Sequence, residues 1–369
     1  MTAEFMTLQE IVQKARTQLS RGDWDYLITG ADTETSLKRN RLAIDRLALK
    51  ARVLTDVSSV HTRRSLLGVD LRIPVLLAPI GSLQVFESGG GLSSARAAEE
   101  FGVMQMLSSV CTPDFEAIAK ACAGPKIYQL YVHGDASWVM DIVERTQAAG
   151  YKAFCLTVDT QVGSRRERDI LKRYVPMAAR RAASSSPEAP RAVPRQFTTL
   201  QHSMNWDFIK RVRDRLRIPL ILKGIACAED AELAVQNGID VVYVSNHGGR
   251  QLDQGRASFD MLPEVVRAVS GRAKVVVDGG ILRGTDVLKA LALGADAVGI
   301  GRLECFAMAA GGAPAVVRML ELLESEMRIN LALMGVASID ELTPACVLPA
   351  EAVVQPHVLS GFPLLDQGY

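Results

Sequence analysis

A histidine and an arginine share one glycine-rich turn in the segment 245–251, which reads Ser-Asn-His-Gly-Gly-Arg-Gln. An imidazole can remove a proton near neutral pH, and a guanidinium can hold a carboxylate through two hydrogen bonds. A lone histidine is more often structural than catalytic. Here, however, His247 and Arg250 lie three residues apart directly after an apolar run, which favours proton removal from an anionic substrate.

Two further glycine-rich turns follow apolar runs late in the chain. Asp278-Gly279-Gly280 follows one run, and Gly299-Ile300-Gly301-Arg302 ends the next. Glycines let main-chain N–H groups approach phosphate oxygens, and an arginine adds a bidentate charged contact. Each turn alone fits a tight connection equally well. Two of them on adjacent final strands favour a phosphate site.

The elements that would position these turns alternate regularly. Eight short runs of Val, Ile and Leu are separated by amphipathic, alanine-rich segments with helical spacing. Runs this short and uniformly apolar fit strands of a parallel sheet covered by crossover helices. Eight such units predict an α/β fold with a single (β/α)8 TIM barrel, with an open doubly wound sheet as the alternative. The predicted strands are 74–78, 103–107, 126–130, 153–157, 220–223, 241–245, 274–278 and 297–300.

Polar residues cluster where these predicted strands end. In (β/α)8 barrels the carboxyl ends of the strands carry the active site, so these side chains are expected to converge on one mouth of the barrel. A neighbouring charge run includes Arg168 and Asp169, which are interpreted as solvated. The residues expected at the mouth are Pro79, Gly81, Ser108, Ser109, Gln129, Tyr131, Thr157, Asp159, Arg166, Lys223, Ser245, Asn246, His247, Arg250, Asp278, Gly279, Gly280, Gly301 and Arg302.

One domain, 1–369, is predicted. About 1–60 is expected to form an N-terminal helical segment that remains helical to Leu49, and about 70–325 the barrel. Residues 177–201 are rich in Ala, Ser, Pro and Arg, and predict a flexible loop after the fourth strand. The tail, about 340–369, is expected to wrap the outside of the barrel or a neighbouring subunit.

The bulk composition excludes several classes of function. The net charge of +1 gives no general attraction to nucleic acid or to an anionic membrane. Six scattered cysteines without a C-x-x-C pair indicate a reducing compartment rather than a disulfide framework. No leader segment is evident, and no apolar stretch reaches the roughly 18 residues of an integral membrane segment. A cytoplasmic protein without a metal site is therefore expected.

The motif at 245–253, Ser-Asn-His-Gly-Gly-Arg-Gln-Leu-Asp, resembles the FMN-dependent α-hydroxy-acid oxidase and dehydrogenase family, which includes glycolate oxidase, lactate oxidase and mandelate dehydrogenase. The resemblance covers nearly the whole chain, and it implies the barrel fold, an FMN cofactor and oxidation of a 2-hydroxy acid to the 2-oxo acid. Its other matching segments, in order, are 24–31, 77–81, 107–109, 128–131, 156–160, 165–167, 222–224, 278–280 and 301–302.

The resemblance implies catalytic roles for six residues. His247 is the base, and Asp159 hydrogen-bonds its imidazole and raises its pKa by stabilising the protonated form. Tyr131 contacts the substrate hydroxyl or the developing carbonyl. The residues that hold the substrate carboxylate are Arg250, Arg166 and Tyr26.

The resemblance also implies a flavin site. Lys223 would lie against the N1–C2 carbonyl edge of the ring, where a fixed positive charge favours reduction. Asp278 would bind the ribityl chain. The other residues implied are Pro79, Gly81, Ser108, Gln129, Thr157 and Ser245 around the ring, and Gly280, Arg283, Gly301 and Arg302 at the phosphate.

Two departures from the family pattern bear on the site. Leu282 occupies a position where many members have a phosphate-binding arginine, so either Arg283 moves in or Arg302 carries the phosphate almost alone. Val110 replaces a bulky aromatic of glycolate oxidase, and Gly163 and Gly81 are small choices at neighbouring positions. These residues predict a substrate larger than glycolate or lactate, such as a mandelate-like or long-chain 2-hydroxy acid.

Several alternatives remain open at this point. The same flavin barrel could oxidise an amine or a peptide-derived cofactor precursor, or decarboxylate lactate with oxygen; a non-catalytic barrel is a further reading. A nicotinamide enzyme is disfavoured because no G-x-G-x-x-G follows the first strand. The electron acceptor is expected to be O2, a quinone or a redox protein, and the resemblance implies a homotetramer.

Overall fold

The computed structural model describes residues 5–174 and 199–367. The chain begins with three helices, α1 (Leu8–Gln18), α2 (Arg21–Ile28) and α3 (Thr35–Asp45), of which α1 is opened by a capping box between Thr7 and Glu10. Three short strands follow: β1 (Leu47–Leu49), β2 (Arg64–Leu66) and β3 (Val69–Leu71).

The prediction that the N-terminal segment remains helical to Leu49 is wrong. The helix ends at Asp45, because Leu47–Leu49 pairs antiparallel with β12 (Val347–Pro349) from the tail. Pairing with a strand nearly 300 residues away leaves no signal in the local sequence pattern.

Eight parallel strands close into a barrel. All eight predicted strands are present, three of them with the predicted bounds and the others with ends that differ by at most two residues. Their bounds are β4 (Val75–Leu77), β5 (Met104–Ser108), β6 (Lys126–Leu130), β7 (Ala153–Thr157), β8 (Leu220–Ile225), β9 (Val241–Val244), β10 (Lys274–Val277) and β11 (Ala297–Ile300). Their order around the barrel is β10-β11-β4-β5-β6-β7-β8-β9.

Helices cover the outside of this barrel, as the alternation predicts. After α3 they are α4 (Gly91–Phe101), α5 (Phe115–Ala121), α6 (Ala136–Ala148), α7 (Glu167–Leu171), α8 (Thr199–Ser203), α9 (Trp206–Arg215), α10 (Ala228–Gln236), α11 (Ser258–Val269), α12 (Gly284–Ala292) and α13 (Arg302–Leu333).

The interior of the barrel is a packed core of alternate strand residues. Strands β5, β7 and β9 each contribute two residues to one buried cluster, and each of the other strands contributes one; the paired residues are Met104 and Met106, Ala153 and Cys155, and Val241 and Tyr243. Leu66 and Leu71 of the β2–β3 hairpin belong to the same cluster, so the hairpin closes the barrel at the amino ends of its strands. The opposite end, where the predicted polar residues lie, is left for a ligand.

The flexible loop predicted at 177–201 lies almost wholly outside the described residues. Only its last three residues are described, and they belong to α8 rather than to a loop. The described part of the tail packs on its own chain: Val358 and Phe362 are buried, and the Leu364 N–H donates to Gln9 Oε1 (2.9 Å).

One helix in the described ranges, α13, is long and apolar enough to cross a membrane by length and composition alone. Of its most apolar window, 61% is buried inside the protein, a property it shares with core helices of soluble proteins. This is weak evidence for a membrane segment.

Candidate active site

The strand alternation that fills the barrel core also selects the residues at its open end. Since Tyr243 faces inward on β9 and Cys155 on β7, the residues two positions further, Ser245 and Thr157, face the mouth. On every strand, the residue two positions after the inward-facing core residue lies at the mouth of the barrel. These eight residues form a ring around the mouth: Ala78, Ser108, Gln129, Thr157, Lys223, Ser245, Asp278 and Gly299. At Gly299 a Cβ atom would collide with the Tyr243 hydroxyl, so only glycine fits there.

Three members of this ring form a buried charged network. Lys223 Nζ donates to Ser245 Oγ (2.8 Å) and lies 3.2 Å from Asp278 Oδ2, while Ser245 Oγ donates to Asp278 Oδ1 (2.6 Å). Burial alone would lower the pKa of Lys223, but Asp278 and Asp159 raise it well above its ordinary value. The ammonium group therefore stays charged inside the protein.

The adjacent members of the ring leave hydrogen-bonding atoms unused. Gln129 Nε2 donates to Thr157 Oγ1 (2.8 Å), whereas Gln129 Oε1 and Ser108 Oγ are buried and have no hydrogen-bond partner among the residues that the structure describes. Unpaired buried polar atoms are costly, and they call for a ligand with both donors and acceptors. A flavin ring edge has this character, so the residues present fit the expected FMN.

The turn that carries His247 is held in an unusual backbone conformation. His247, Gly248 and Gly249 all have positive φ, at 59°, 64° and 75°. A side chain at Gly249 would meet the backbone of Leu37 at 2.5 Å, so α3 packs directly against the turn. A non-glycine residue in this region is uncommon and clusters at functional sites. The close packing of α3 fixes where the imidazole points.

The imidazole of His247 lies between an aspartate and a tyrosine. Its Nδ1 is 3.0 Å from Asp159 Oδ1, and its Nε2 is 3.2 Å from Tyr131 Oη. The carboxylate accepts the Nδ1–H, which leaves the Nε2 lone pair on the cavity side. This arrangement is that of a general base whose tautomer is fixed by a carboxylate.

The pKa of His247 differs in direction from the sequence expectation. Burial lowers it, and repulsion from Lys223 and Arg166 adds to that effect, so that attraction to Asp159 only partly compensates. The net pKa lies below the ordinary value, and the imidazole is neutral at neutral pH. A neutral imidazole is the form that can accept a proton.

Asp159 is ionised beside it. Burial would raise the pKa of this carboxyl group, but His247 and Lys223 outweigh burial, and the pKa lies below its usual range. A negative charge is therefore in place before His247 takes up a proton.

Three arginines gather beside the base. Arg250 Nη1 donates to the carbonyl oxygens of Tyr26 (2.9 Å) and Thr29 (3.1 Å), and its guanidinium lies 5.0 Å from the centre of the Tyr26 ring. Burial and repulsion from Arg166 lower the pKa of Arg250 to about 10. Burial and Arg250 likewise lower the pKa of Arg302 to about 9. Such mutual repulsion favours binding of an anion.

Asp169 belongs to this site, contrary to its interpretation as a solvated charge. It lines the cavity, and burial raises its pKa even though Arg250 and Arg166 lower it. Arg168 is also engaged, through bonds to Glu34 Oε1 (3.0 Å) and Oε2 (2.6 Å). The signal for Asp169 was its spacing three residues after Arg166, which puts both on one side of a helical turn.

The structure turns Arg283 away from the predicted phosphate position. Its guanidinium pairs with both carboxylate oxygens of Glu326 (3.2 and 2.5 Å) and donates to Gly361 O (3.3 Å). The interpretation of Arg283 as a cofactor ligand is therefore corrected. Arg302 lines the cavity, but its side chain bonds the carbonyl oxygens of Leu27, Thr29 and Gly248 (2.9–3.2 Å).

The cavity above the ring of eight residues at the mouth of the barrel has a volume of about 810 Å³. Asp159 lies behind His247, and Ser108, Gln129, Thr157 and Ser245 belong to the ring beneath. The sequence interpretation had missed two wall residues: Arg41, which lies on α3 before the barrel, and His133, which lies three residues after the third predicted strand. The other predicted site residues that line the cavity are Tyr26, Pro79, Gly81, Tyr131, Arg166, Lys223, His247, Arg250, Asp278, Gly280, Gly301 and Arg302.

Comparison with known proteins agrees with this geometry. Residues 15–349 match the family model described as FMN-dependent dehydrogenase. The chain is 39% identical to an L-lactate oxidase of Nostoc sp. over 351 residues, which cover 91% of this chain and 96% of the relative. It is 38% identical over 347 residues to a peroxisomal (S)-2-hydroxy-acid oxidase of Oryza sativa subsp. japonica, covering 92% and 94%.

Solved structures show the same similarity. A crystal structure of mandelate oxidase with (S)-2-phenylpropionate superposes with a TM-score of 0.83 at 35% identity, covering 95% of this chain and 100% of that chain. A mandelate oxidase mutant with a C4a-OH-FMN adduct gives a TM-score of 0.82 at 36% identity, covering 94% and 100%. The family match spans most of the sequence, and the barrel mouth presents a flavin-compatible ring beneath a histidine base. The chain belongs to the FMN-dependent dehydrogenase family.

Proposed function

We propose that this protein oxidises a 2-hydroxy acid to the 2-oxo acid with FMN as its cofactor. The observation that carries the proposal is the chain of hydrogen bonds from Asp159 through His247 to Tyr131. The neutral Nε2 of His247 faces a cavity that Arg250 and Arg166 also line. A base next to an anion-binding site is what removal of a proton from a 2-hydroxy acid requires.

The positive side chains orient the substrate. Arg250 and Arg166 bind its carboxylate, and the packing of Tyr26 against Arg250 holds that guanidinium in place. His247 Nε2 accepts a proton, and Asp159 stabilises the imidazolium that results, while Tyr131 hydrogen-bonds the substrate oxygen. FMN, when bound, supplies the acceptor for the two electrons.

Lys223 and the other side chains at the mouth of the barrel complete the flavin site. The Lys223 ammonium, kept charged by Asp278 and Asp159, would stabilise negative charge on a reduced flavin. Ser108 Oγ and Gln129 Oε1 would find hydrogen-bond partners on the edge of a bound flavin, which they lack among the described residues. Main-chain atoms around Pro79 and Gly81 would cover another face of the flavin.

The substrate is proposed to be larger than glycolate. Gly81, Val110 and Gly163 line the cavity, and a Cβ atom on Gly81 would come within 2.8 Å of Val110 Cγ2. The mandelate oxidase structures support a mandelate-like acid, whereas lactate oxidase and glycolate oxidase act on smaller ones as named. Rates with glycolate, lactate, mandelate and a long-chain acid test this, and a clear preference for glycolate would refute it.

Oxygen is proposed as the electron acceptor, because the relatives are named oxidases. Amine or peptide-derived substrates are not favoured, since Arg250, Arg166 and Tyr26 form a carboxylate site. The test is anaerobic mixing of the yellow protein with 2-hydroxy acids while flavin absorbance is followed, then addition of O2, a quinone or a dye. Protein without flavin, or flavin that none of these acids bleaches, would contradict the proposal.

A cytoplasmic homotetramer is proposed as the working state. Six cysteines without disulfides support a reducing compartment, and the tetramer follows from the family resemblance alone. Light scattering coupled to gel filtration tests the assembly, and cell fractionation tests the location. A monomeric mass would contradict the tetramer.

A further inference from the structure

The carboxylate and the imidazole of the proposed base come from strands that are not neighbours in the barrel. Asp159 follows β7 and His247 follows β9, and β8 pairs with both strands and lies between them. The sheet therefore joins each of these two strands to β8 rather than to one another. Groups other than the strand ladder have to hold the 3.0 Å contact between His247 Nδ1 and Asp159 Oδ1.

The intervening strand makes room for this contact. β8 has a bulge between Lys223 and Ile225, and Gly224 within it has a φ of 114°. A Cβ atom at Gly224 would lie 2.7 Å from Asp159 Cβ and 2.9 Å from Asp159 Cγ, so the aspartate side chain passes directly over the glycine. Glycine permits this close approach, but it supplies no side chain that could hold the carboxylate in place.

The side chain of Gln251 links the two loops. Gln251 lies four residues after His247, and its Nε2 donates to Asp159 O (2.7 Å) and to Val162 O (3.0 Å). Both N–H donors of the amide are therefore used on the chain that follows β7. The loop that carries the base and the loop that carries its carboxylate are tied together by one side chain.

Two other side chains restrain the loop after β7 at different points. Ser164 Oγ donates to Arg250 O (2.5 Å), and Gln201 Nε2 of α8 donates to Thr160 O (2.5 Å). Neither of these bonds is made to the residue that bears the carboxylate. Within the described parts of the chain, Gln251 is the side chain that holds the main-chain carbonyl of that residue.

We propose that Gln251 is a positioning residue for the catalytic base: its amide holds the main chain of Asp159 so that the carboxylate stays within hydrogen-bonding distance of His247 Nδ1. The inference rests on the proposed function, because it presupposes that His247 removes the substrate proton. A hydrogen bond weakens as its length and angle depart from the optimum. Without Gln251, Asp159 gives less support to the imidazolium, and proton removal becomes slower.

A contact between Gln251 and the substrate is the competing role, because Gln251 also lines the cavity. The two roles differ in kinetics. Loss of a contact that binds substrate and transition state equally raises KM, whereas loss of support for the imidazolium lowers the rate of the chemical step. The rate at saturating substrate therefore distinguishes them.

The experiment is a double-mutant cycle on the holoenzyme, in which a saturating 2-hydroxy acid bleaches the flavin anaerobically. Gln251→Met keeps an unbranched side chain of similar length but removes both donors. It should slow bleaching roughly three- to tenfold, as loss of a hydrogen bond does. The acid concentration that gives half the maximal rate should change little. In an Asp159→Asn background the same substitution should change the rate by no more than about twofold, because the charge that Gln251 positions is already absent.

The pH profile of the bleaching rate is a readout that a merely structural role would not move. The charged and titratable groups that face the imidazole are Asp159, Lys223, Arg166 and Tyr131. Of these, Gln251 bonds only Asp159. Since Asp159 raises the pKa of His247, weaker pairing should move the acid limb to lower pH in Gln251→Met. Asp159→Asn should have the same acid limb with and without the second substitution.

Gln254→Met is the matched control. Gln254 lies on the same loop, and its Nε2 donates to the hydroxyl groups of Thr33 and Thr35 (both 3.0 Å) instead of to the loop after β7. The control should leave the bleaching rate and the pH profile unchanged. Gln251→Ser also removes the amide and should behave like Gln251→Met, so it carries the test if the methionine variant does not fold.

The outcomes separate this inference from the proposed function. Equal effects of Gln251→Met in the two backgrounds would overturn the positioning role, and so would an unchanged rate or an unmoved acid limb. A change confined to KM would also overturn it, and would assign Gln251 to substrate binding. Wild-type flavin that no 2-hydroxy acid bleaches would instead contradict the proposed function, and this inference with it.

Discussion

The two ends of the flavin cavity are built in different ways. At the base end, charged side chains pair with one another across strands: His247 with Asp159, and Lys223 with Ser245 and Asp278. At the phosphate end, beside the turns after β10 and β11, the arginines are held by groups other than strand-end side chains: Arg283 by Glu326 of α13, and Arg302 by three main-chain carbonyl oxygens. The side chains at the base end are therefore organised across the barrel strands, and those at the phosphate end are not.

The difference follows from the elements that carry the residues. Base-end residues lie at the carboxyl ends of barrel strands, where the register of the sheet fixes the position of each side chain relative to its neighbours. Phosphate-end residues come from α3, a turn and the tail, which are distant in sequence. Their positions therefore depend on tertiary packing rather than on the register of the sheet.

The strongest test of the base end is His247→Gln. The substitution keeps a polar side chain but removes the base, so the rate of anaerobic flavin bleaching should fall about a thousandfold, within the range a positioned general base contributes. FMN content should not change, since the ring contacts come from other residues. Loss of flavin along with activity would show that the two ends are not independent.

Asp159→Asn should have a smaller effect. The amide still accepts from Nδ1 but no longer stabilises the imidazolium, and a hydrogen bond to a charged group contributes about 1.5–3 kcal/mol, which corresponds to roughly a ten- to hundredfold loss of rate. Because Asp159 raises the pKa of His247, its removal lowers that pKa further.

The pH profile of the bleaching rate distinguishes a lowered pKa of His247 from a general disruption of the site. In Asp159→Asn the acid limb of the profile should move to lower pH, since the imidazole becomes harder to protonate. Asp169→Asn is a control, because this carboxylate lines the cavity without bonding His247. A limb that moves to higher pH in Asp159→Asn would refute the proposed pairing.

The base end could be predicted from the sequence to a much greater extent than the phosphate end. Strand periodicity placed Lys223, Ser245 and Asp278 at one mouth, because an alternating register leaves little freedom. The destination of Arg283 could not be predicted, since Glu326 lies 43 residues away on α13. Arg41 was missed for the same reason: a helix outside the barrel reaches the cavity only through tertiary packing.

The substrate side of the base end is tested by Val110→Trp. A bulky ring beside Gly81 should fill the space proposed for a large acid, and raise KM for mandelate roughly tenfold or more while glycolate is little affected, as expected when pocket contacts change by about 1–3 kcal/mol. Steady-state kinetics with mandelate and with glycolate measure this change in KM. Equal changes for the two acids would contradict the proposed position of the substrate.

The smallest effect on turnover is expected from Glu304→Gln. Glu304 is a buried residue that does not line the cavity. Among the described residues, Ser108 Oγ and Gln129 Oε1 lack a hydrogen-bond partner and belong to the ring beneath the cavity, whereas Glu304 Oε2 lacks one within the core. Glu304 Oε1 accepts from Ser94 Oγ (2.5 Å), and burial raises the pKa of Glu304 to about 8.

The sign of the pH dependence follows from that shift. An unfolded glutamate ionises near 4.5, whereas the folded one stays protonated to about 8, so the protonated form stabilises the fold fully below pH 4.5. This stability is lost progressively as pH rises to about 8. The side chain in Glu304→Gln cannot ionise, so the free energy of unfolding of this variant should lack that dependence on pH. Measured by denaturant unfolding, the stability of the variant relative to wild type should therefore be higher at pH 8.5 than at pH 5. Saturating FMN should stabilise both proteins equally, because no ligand reaches Glu304, and a flavin-dependent difference would show that its unpaired oxygen belongs to the cofactor site after all.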